Sequence, residues 1–146
     1  MASGGNWSGK DPSVQIPVRK ILPIQSSWVL AYAIPQFDDV NHAGPDAYDT
    51  GLSIQNFSAF AVNVTCRYTV NQCYKEAGLS MAFTKAIPAN GGVRFSLLQE
   101  LLLAGYPAGL NSEGHVEITS DVAARLFPTA CIATKDYLFS AGQDFQ

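Results

Sequence analysis

Residues 60–70, FAVNVTCRYTV, alternate without a break. Phe60, Val62, Val64, Cys66, Tyr68 and Val70 fall on the even positions, and the small Ala61 and the polar Asn63, Thr65, Arg67 and Thr69 on the odd ones. A repeat of two held over eleven residues fits a β-strand with one dry and one wet face, and fits no helix. A strand with a single dry face needs a second layer to cover it, so this segment alone points to packed sheets.

The rest of the chain supplies that second layer. SSWVLAYAIP sets Trp28, Leu30, Tyr32 and Ile34 on one face against Val29, Ala31 and Ala33, and predicts a strand covered on both sides. TGLSIQNFS alternates through Leu52 and Ile54, LSMAFTKAI through Leu79, Met81 and Phe83, VRFSL through Val93 and Phe95, and HVEITSD through Val116 and Ile118. FPTACIATKDYLFSAG reads as a long final strand with a tail, and PANGG is turn chemistry. The period changes once. SLLQELLLAG carries a Ser96/Gln99 capping box, leucines at 97, 98, 101 and 102, and Gly105 as a stop. It predicts a short helix plugging an open end of the sandwich. The expected fold is all-β: an antiparallel β-sandwich of seven to eight strands with one short helix.

Ahead of the strands, residues 1–13 are small and polar and read as a flexible N-terminal arm, leaving residues 14–146 as a single β-sandwich domain. VQIPVRKILPI, residues 14–24, has Val14, Ile16 and Val18 on one side, with Pro17 and Pro23 interrupting. Proline lacks a ladder donor, so this reads as an edge strand or a strap.

Charge narrows the partners. Only 14% of residues are charged, against ~25% in typical soluble domains, while 47% are hydrophobic. So few charges on a small domain favour association with copies or companions. Net charge is −3 and the nine basic residues are scattered, with only Arg19 and Lys20 adjacent, so no basic stripe for nucleic acid is present. No apolar run has the ~20 residues of a membrane helix. The first residues lack a charged-then-apolar leader pattern, which predicts a virion or cytoplasmic location as written, or an extracellular one if a leader has been removed.

Chemistry-bearing residues are sparse. Cys66 and Cys131 lie in strand-like segments and read as small core hydrophobes, and Cys73 in NQCYKEAG as an exposed thiol. No Cys/His zinc spacing, phosphate loop or H-E-x-x-H occurs. Asn6, Asn56 and Asn63 begin N-x-S/T tripeptides, which matter only in a protein secreted by a eukaryote. His115 and Glu117 share the wet side of a strand and are candidates for a metal edge, and Tyr32 and Tyr48 for a sugar groove. Neither His42 nor His115 has a nucleophile nearby in sequence, so no catalytic residue is assigned.

The stretch QFDDVNHAGPDAYDT, residues 36–50, concentrates four carboxylates. An EF-hand register starting at Asp39 is met at Asn41 and Gly44 but fails at Ala43 and Thr50. Asp38, Asp39, Asp46 and Asp49 remain candidates for a looser oxygen cage. Asp and Asn also enter turns through their own backbone, and Gly44-Pro45 breaks the chain, so the expected role is a solvated loop without metal or cofactor.

The succession SWVLAYAIP, TGLSIQNFS, AVNVTCRYTV, AIPANGGVRFSL and GHVEITSD resembles single bacterial β-sandwich (Ig-like) modules. These are of the surface-protein and sensory-rhodopsin-transducer type. The resemblance spans roughly residues 27–136, with Trp28, Pro35, Asn56, IPANGG and Ser120 as anchors. It implies a non-enzymatic module that assembles, spaces or binds. The helix at 96–104, the lead-in and NQCYKEAG depart from that pattern. The Cys…Trp…Cys order of true immunoglobulin domains is missing too, since Trp28 precedes every cysteine.

Together these features predict a structural subunit of a repeating assembly, such as a phage virion decoration or head protein. Its contacts would be the arm (Asn6, Trp7) and the strap (Ile16, Val18), and its partners homo-oligomeric copies or other subunits. The competing expectations are a secreted or surface adhesion module that binds a glycan, and a soluble signalling partner of the rhodopsin-transducer type.

Overall fold

The computed structural model describes residues 22–36, 48–134 and 140–144. The elements run β1 (Gln25–Gln36), β2 (Tyr48–Asn56), β3 (Val62–Val70), β4 (Ser80–Ile87), β5 (Gly92–Ser96), α1 (Leu97–Leu103), β6 (Ser112–Ala124), β7 (Leu126–Thr134) and β8 (Ser140–Asp144). They form two four-stranded antiparallel sheets, ordered β1-β6-β3-β4 and β5-β2-β7-β8. The protein is an all-β sandwich with one short helix. The predicted arm and the first eight residues of the predicted strap, 14–21, lie outside the described residues.

The alternation read from the sequence is what fills the core. Val62, Val64, Cys66, Tyr68 and Val70 of β3 are buried, beside Trp28 and Leu30 of β1 and Val116 and Ile118 of β6. Leu52 and Ile54 of β2, with Leu126, Ala130 and Ile132 of β7, face them from the other sheet. Each fully buried Leu, Ile or Val contributes about 1.5–3 kcal/mol relative to exposure, so this strip of side chains carries the fold. Phe60 breaks the expected phase. It precedes the first residue of β3 and is exposed.

Two further expectations are corrected by register. β1 pairs Leu30 with Val116 but Ala33, not Tyr32, with Gly114. One extra residue on β1 is a bulge, which flips the phase. Tyr32 therefore turns outward, and β1 is covered on one side only as far as Tyr32, with Val29 and Ala31 exposed, whereas the consecutive Ala33, Ile34 and Pro35 are all buried. Cys131 is also exposed, because Leu126, Pro128, Ala130 and Ile132 take the inward phase of β7. Cys66 is buried, in the other sheet, and all three cysteines are free thiols.

The helix closes one end of the sandwich. Leu97 and Leu101 are buried there, whereas Leu102 and Leu103 face outward. Gly105 takes a φ of 103°, which stops the helix, and the Tyr106 N–H then bonds back to the Leu101 carbonyl at 2.8 Å. Lys85 Nζ ties β4 to the helix through Glu100 at 2.6 Å and lies 5.0 Å from the centre of the Phe95 ring.

Candidate functional site

Of the acidic stretch, Asp38, Asp39, His42 and Asp46 lie outside the described residues, as do Asn6, Trp7, Ile16 and Val18. Asp49 is described, and it serves the helix. Its Oδ2 accepts from the Ser96 hydroxyl at 2.7 Å, and its Oδ1 from the Thr50 N–H at 2.6 Å and the Leu98 N–H at 3.4 Å. Ser96 Oγ in turn accepts from the Gln99 N–H at 3.3 Å. A carboxylate against the first N–H groups of a helix satisfies donors that have no partner within the helix. Burial raises the pKa of Asp49 above 3.8, and these hydrogen bonds oppose that rise without cancelling it. A cap spanning β2 and α1 is not visible in local spacing, since Asp49 and Ser96 are 47 residues apart.

The outer face of the first sheet holds the other candidates. His115 Nε2 lies 3.6 Å from Glu117 Oε2, an ion pair when the histidine is protonated. In register with them, Thr69 stands opposite His115 and Arg67 opposite Glu117. Among the described residues no three His, Cys, Asp or Glu side chains come together as a metal cluster. Beside this row, Glu113 accepts from the Tyr74 hydroxyl at 2.5 Å and is hydrogen-bonded to Tyr32. Burial first, then the Glu113 carboxylate, pushes Tyr32 up to about 12 and Tyr74 upward as well, so both phenols stay protonated donors. Tyr48 belongs to the opposite sheet, away from this outer-face pair.

Inside the helix-capped end, three hydroxyls meet. Ser112 Oγ lies 2.8 Å from Tyr68 Oη and 2.6 Å from Tyr106 Oη. The two rings meet edge to face with centroids 6.2 Å apart. This buried group locks the chain after α1 onto β3 and β6. The Cys66 thiol, in the same core, is pushed up to about 12 by burial, which keeps it protonated and unreactive.

The opposite end of the sandwich is built differently. Asn56 is buried at the end of β2. Its Nδ2 donates to the carbonyls of Phe60 at 2.9 Å, Pro88 at 3.1 Å and Ile87 at 3.5 Å, and its Oδ1 accepts from the Ser58 N–H at 2.8 Å. Ser58 Oγ then accepts from the Arg125 N–H at 2.9 Å. Asn56 thus ties the loop segment 56–61 to 87–92, and Ser58 ties it to 120–126, where β6 passes into β7. Its amide is fully engaged and shielded, which makes this N-x-S a poor glycan acceptor in the folded protein. The exposed Asn63 bonds Asp121 instead.

What these loops present is apolar. Phe57 is 58% exposed, Phe60 47% and Phe127 43%, with Ile24 and Val122 exposed beside them. Backbone bonds gather them. The Phe57 N–H donates to the Arg125 carbonyl, Phe127 stands opposite Gln55, and Gln25, next to Ile24, pairs with Ala124. On β6, residues between Thr119 and Ala124 bulge outward, carrying Val122. The three loops contain two charged residues, Asp121 and Arg125, and both are tied within the chain, Arg125 Nε to the Leu22 carbonyl at 3.2 Å. Separate large apolar side chains on a surface are ordinary, but five gathered at one end make that end the most apolar part of the described surface. Alternation in the sequence places Phe60 in the core, and no local spacing singles out Phe57 or Phe127.

No family model and no curated protein matches the chain. Among solved structures, the crystal structure of Thermotoga maritima 1070 superposes with a TM-score of 0.60 at 11% sequence identity. The match covers 86% of this chain and 96% of that one. At that identity the likeness extends to the fold alone.

Proposed function

We propose that this protein is a non-enzymatic structural subunit that acts in a repeating assembly with copies of itself or companion subunits, as a decoration or head protein of a phage virion does. The observation that carries this reading is the end formed by Phe57, Phe60, Phe127, Ile24 and Val122, which offers apolar surface with hardly any charge. Aromatic anchors of that kind dominate binding energy at protein interfaces. The arm residues Asn6 and Trp7 and the strap residues Ile16 and Val18 supply further contacts in this reading. Resemblance to single bacterial β-sandwich modules agrees with a binding or spacing role.

A second reading, a surface module that binds a glycan, is favoured by the exposed ring of Tyr32 beside the Glu113 carboxylate.

Light scattering of the purified chain tests the first reading. A molar mass several times 15.7 kDa is expected at micromolar concentration, falling when residues 1–13 are deleted. A monomer at every concentration, indifferent to the deletion, would overturn it.

A further inference from the structure

We infer that the phenylalanine end of one copy is the seat for residues 14–21 of a neighbouring copy. This inference rests on the assembly reading above and names the two surfaces that meet. The described chain begins at that end. Leu22 is held there by Arg125, and Leu22 to Ile24 run into β1 without a turn.

Leu22 also precedes Pro23, and a residue before proline is driven to extended backbone. Leu22 is therefore extended where the described chain leads into β1, at the phenylalanine end. The eight residues before Leu22, VQIPVRKI, place Val14, Ile16 and Val18 at every second position. In an extended segment these share one face, and eight residues reach up to about 27 Å, enough to cross the end of a neighbouring domain. Pro17 keeps the segment from joining a sheet as an ordinary inner strand, so the side chains carry the contact. Aliphatic side chains at alternate positions suit a surface of exposed phenylalanine rings. The only charges in the segment, Arg19 and Lys20, lie at its end, past the apolar triplet. Every copy has one such segment and one such end, so the contact is head-to-tail and repeats.

The test uses two full-length variants. Ile16→Ser/Val18→Ser spoils the segment, and Phe57→Ser/Phe127→Ser spoils the seat at exposed positions. Phe57→Ser alone serves as the milder form if the double variant melts early by circular dichroism. Each variant by itself is expected to need at least tenfold higher concentration to assemble. Mixed in equal amounts, they are expected to form heterodimers that grow no further, since each pair holds one intact segment in one intact seat. If wild-type chains assemble and the seat variant assembles equally well, the inference falls while the assembly reading stands. If both variants lose assembly but the mixture gives no heterodimer, the head-to-tail contact is overturned. A wild-type chain that never assembles removes the assembly reading itself.

Discussion

Replacing Gly114 with alanine is expected to cost about 4 kcal/mol or more, the range reached only when packing fails outright. Gly114 sits on β6 between Val70 of β3 and Ala33 of β1. A Cβ added there would overlap the Thr69 carbonyl oxygen and come 2.7 Å from Tyr68 Cε1. The reason lies in the hydroxyl group beyond it. Tyr68 stands opposite Val116, yet its phenol bonds Ser112, four residues earlier at the start of β6. The ring must lean across Gly114 to get there, and only a residue without a side chain leaves it room. A backbone oxygen and a buried ring cannot both shift by rotamer change, so alanine forces β3 and β6 apart. Domains of this kind are stable by only about 5–15 kcal/mol, so the variant should be largely insoluble or unfold at a much lower urea concentration. A loss below about 1 kcal/mol in urea unfolding would contradict this packing.

Asn56→Ala should have the second-largest effect. It leaves the Ser58 N–H and the Phe60 and Ile87 carbonyls without their Asn56 partner, while the Pro88 carbonyl keeps the Gly91 N–H at 3.1 Å. Each buried polar group stripped of its bond costs about 1–3 kcal/mol, and some of these groups regain water once the loops part, so about 3–4 kcal/mol is expected. For a chain of this length that lowers Tm by about 10 °C, measurable by calorimetry. Assembly should weaken as well, because the same side chain holds the loops that carry Phe57 and Phe60. An Asn56→Ala protein that melts within 2–3 °C of the wild type, about 1 kcal/mol, would show that the loops hold themselves.

Sequence reading reached the architecture because β-strands announce themselves by alternation. The inward positions of β3 are those that the period of two assigns, from Val62 to Val70. It faltered wherever one residue was inserted or where both phases were apolar. Tyr32 lies within a bulge that no local pattern marks, and Cys131 sits among Ala130, Ile132 and Ala133, where either phase looks dry. The candidate site was less legible still. Asp49 reads as one more carboxylate in an acidic stretch until the fold brings it to Ser96. Phe57 and Phe127 gain meaning only when antiparallel pairing sets the end of β2 beside the start of β7. Local spacing cannot express that juxtaposition, since these residues are 70 positions apart.

Hydroxyl-radical footprinting read by mass spectrometry reports whether the phenylalanine end is covered in solution, with Leu103, 84% exposed at the helix-capped end, as internal reference. Phe57, Phe60 and Phe127 are expected to be poorly oxidised at high protein concentration and to become labelled on dilution, while Leu103 stays constant. Labelling of the three phenylalanines that stays in fixed proportion to Leu103 at every concentration, each ring as reactive as its exposure in the isolated domain, would contradict it.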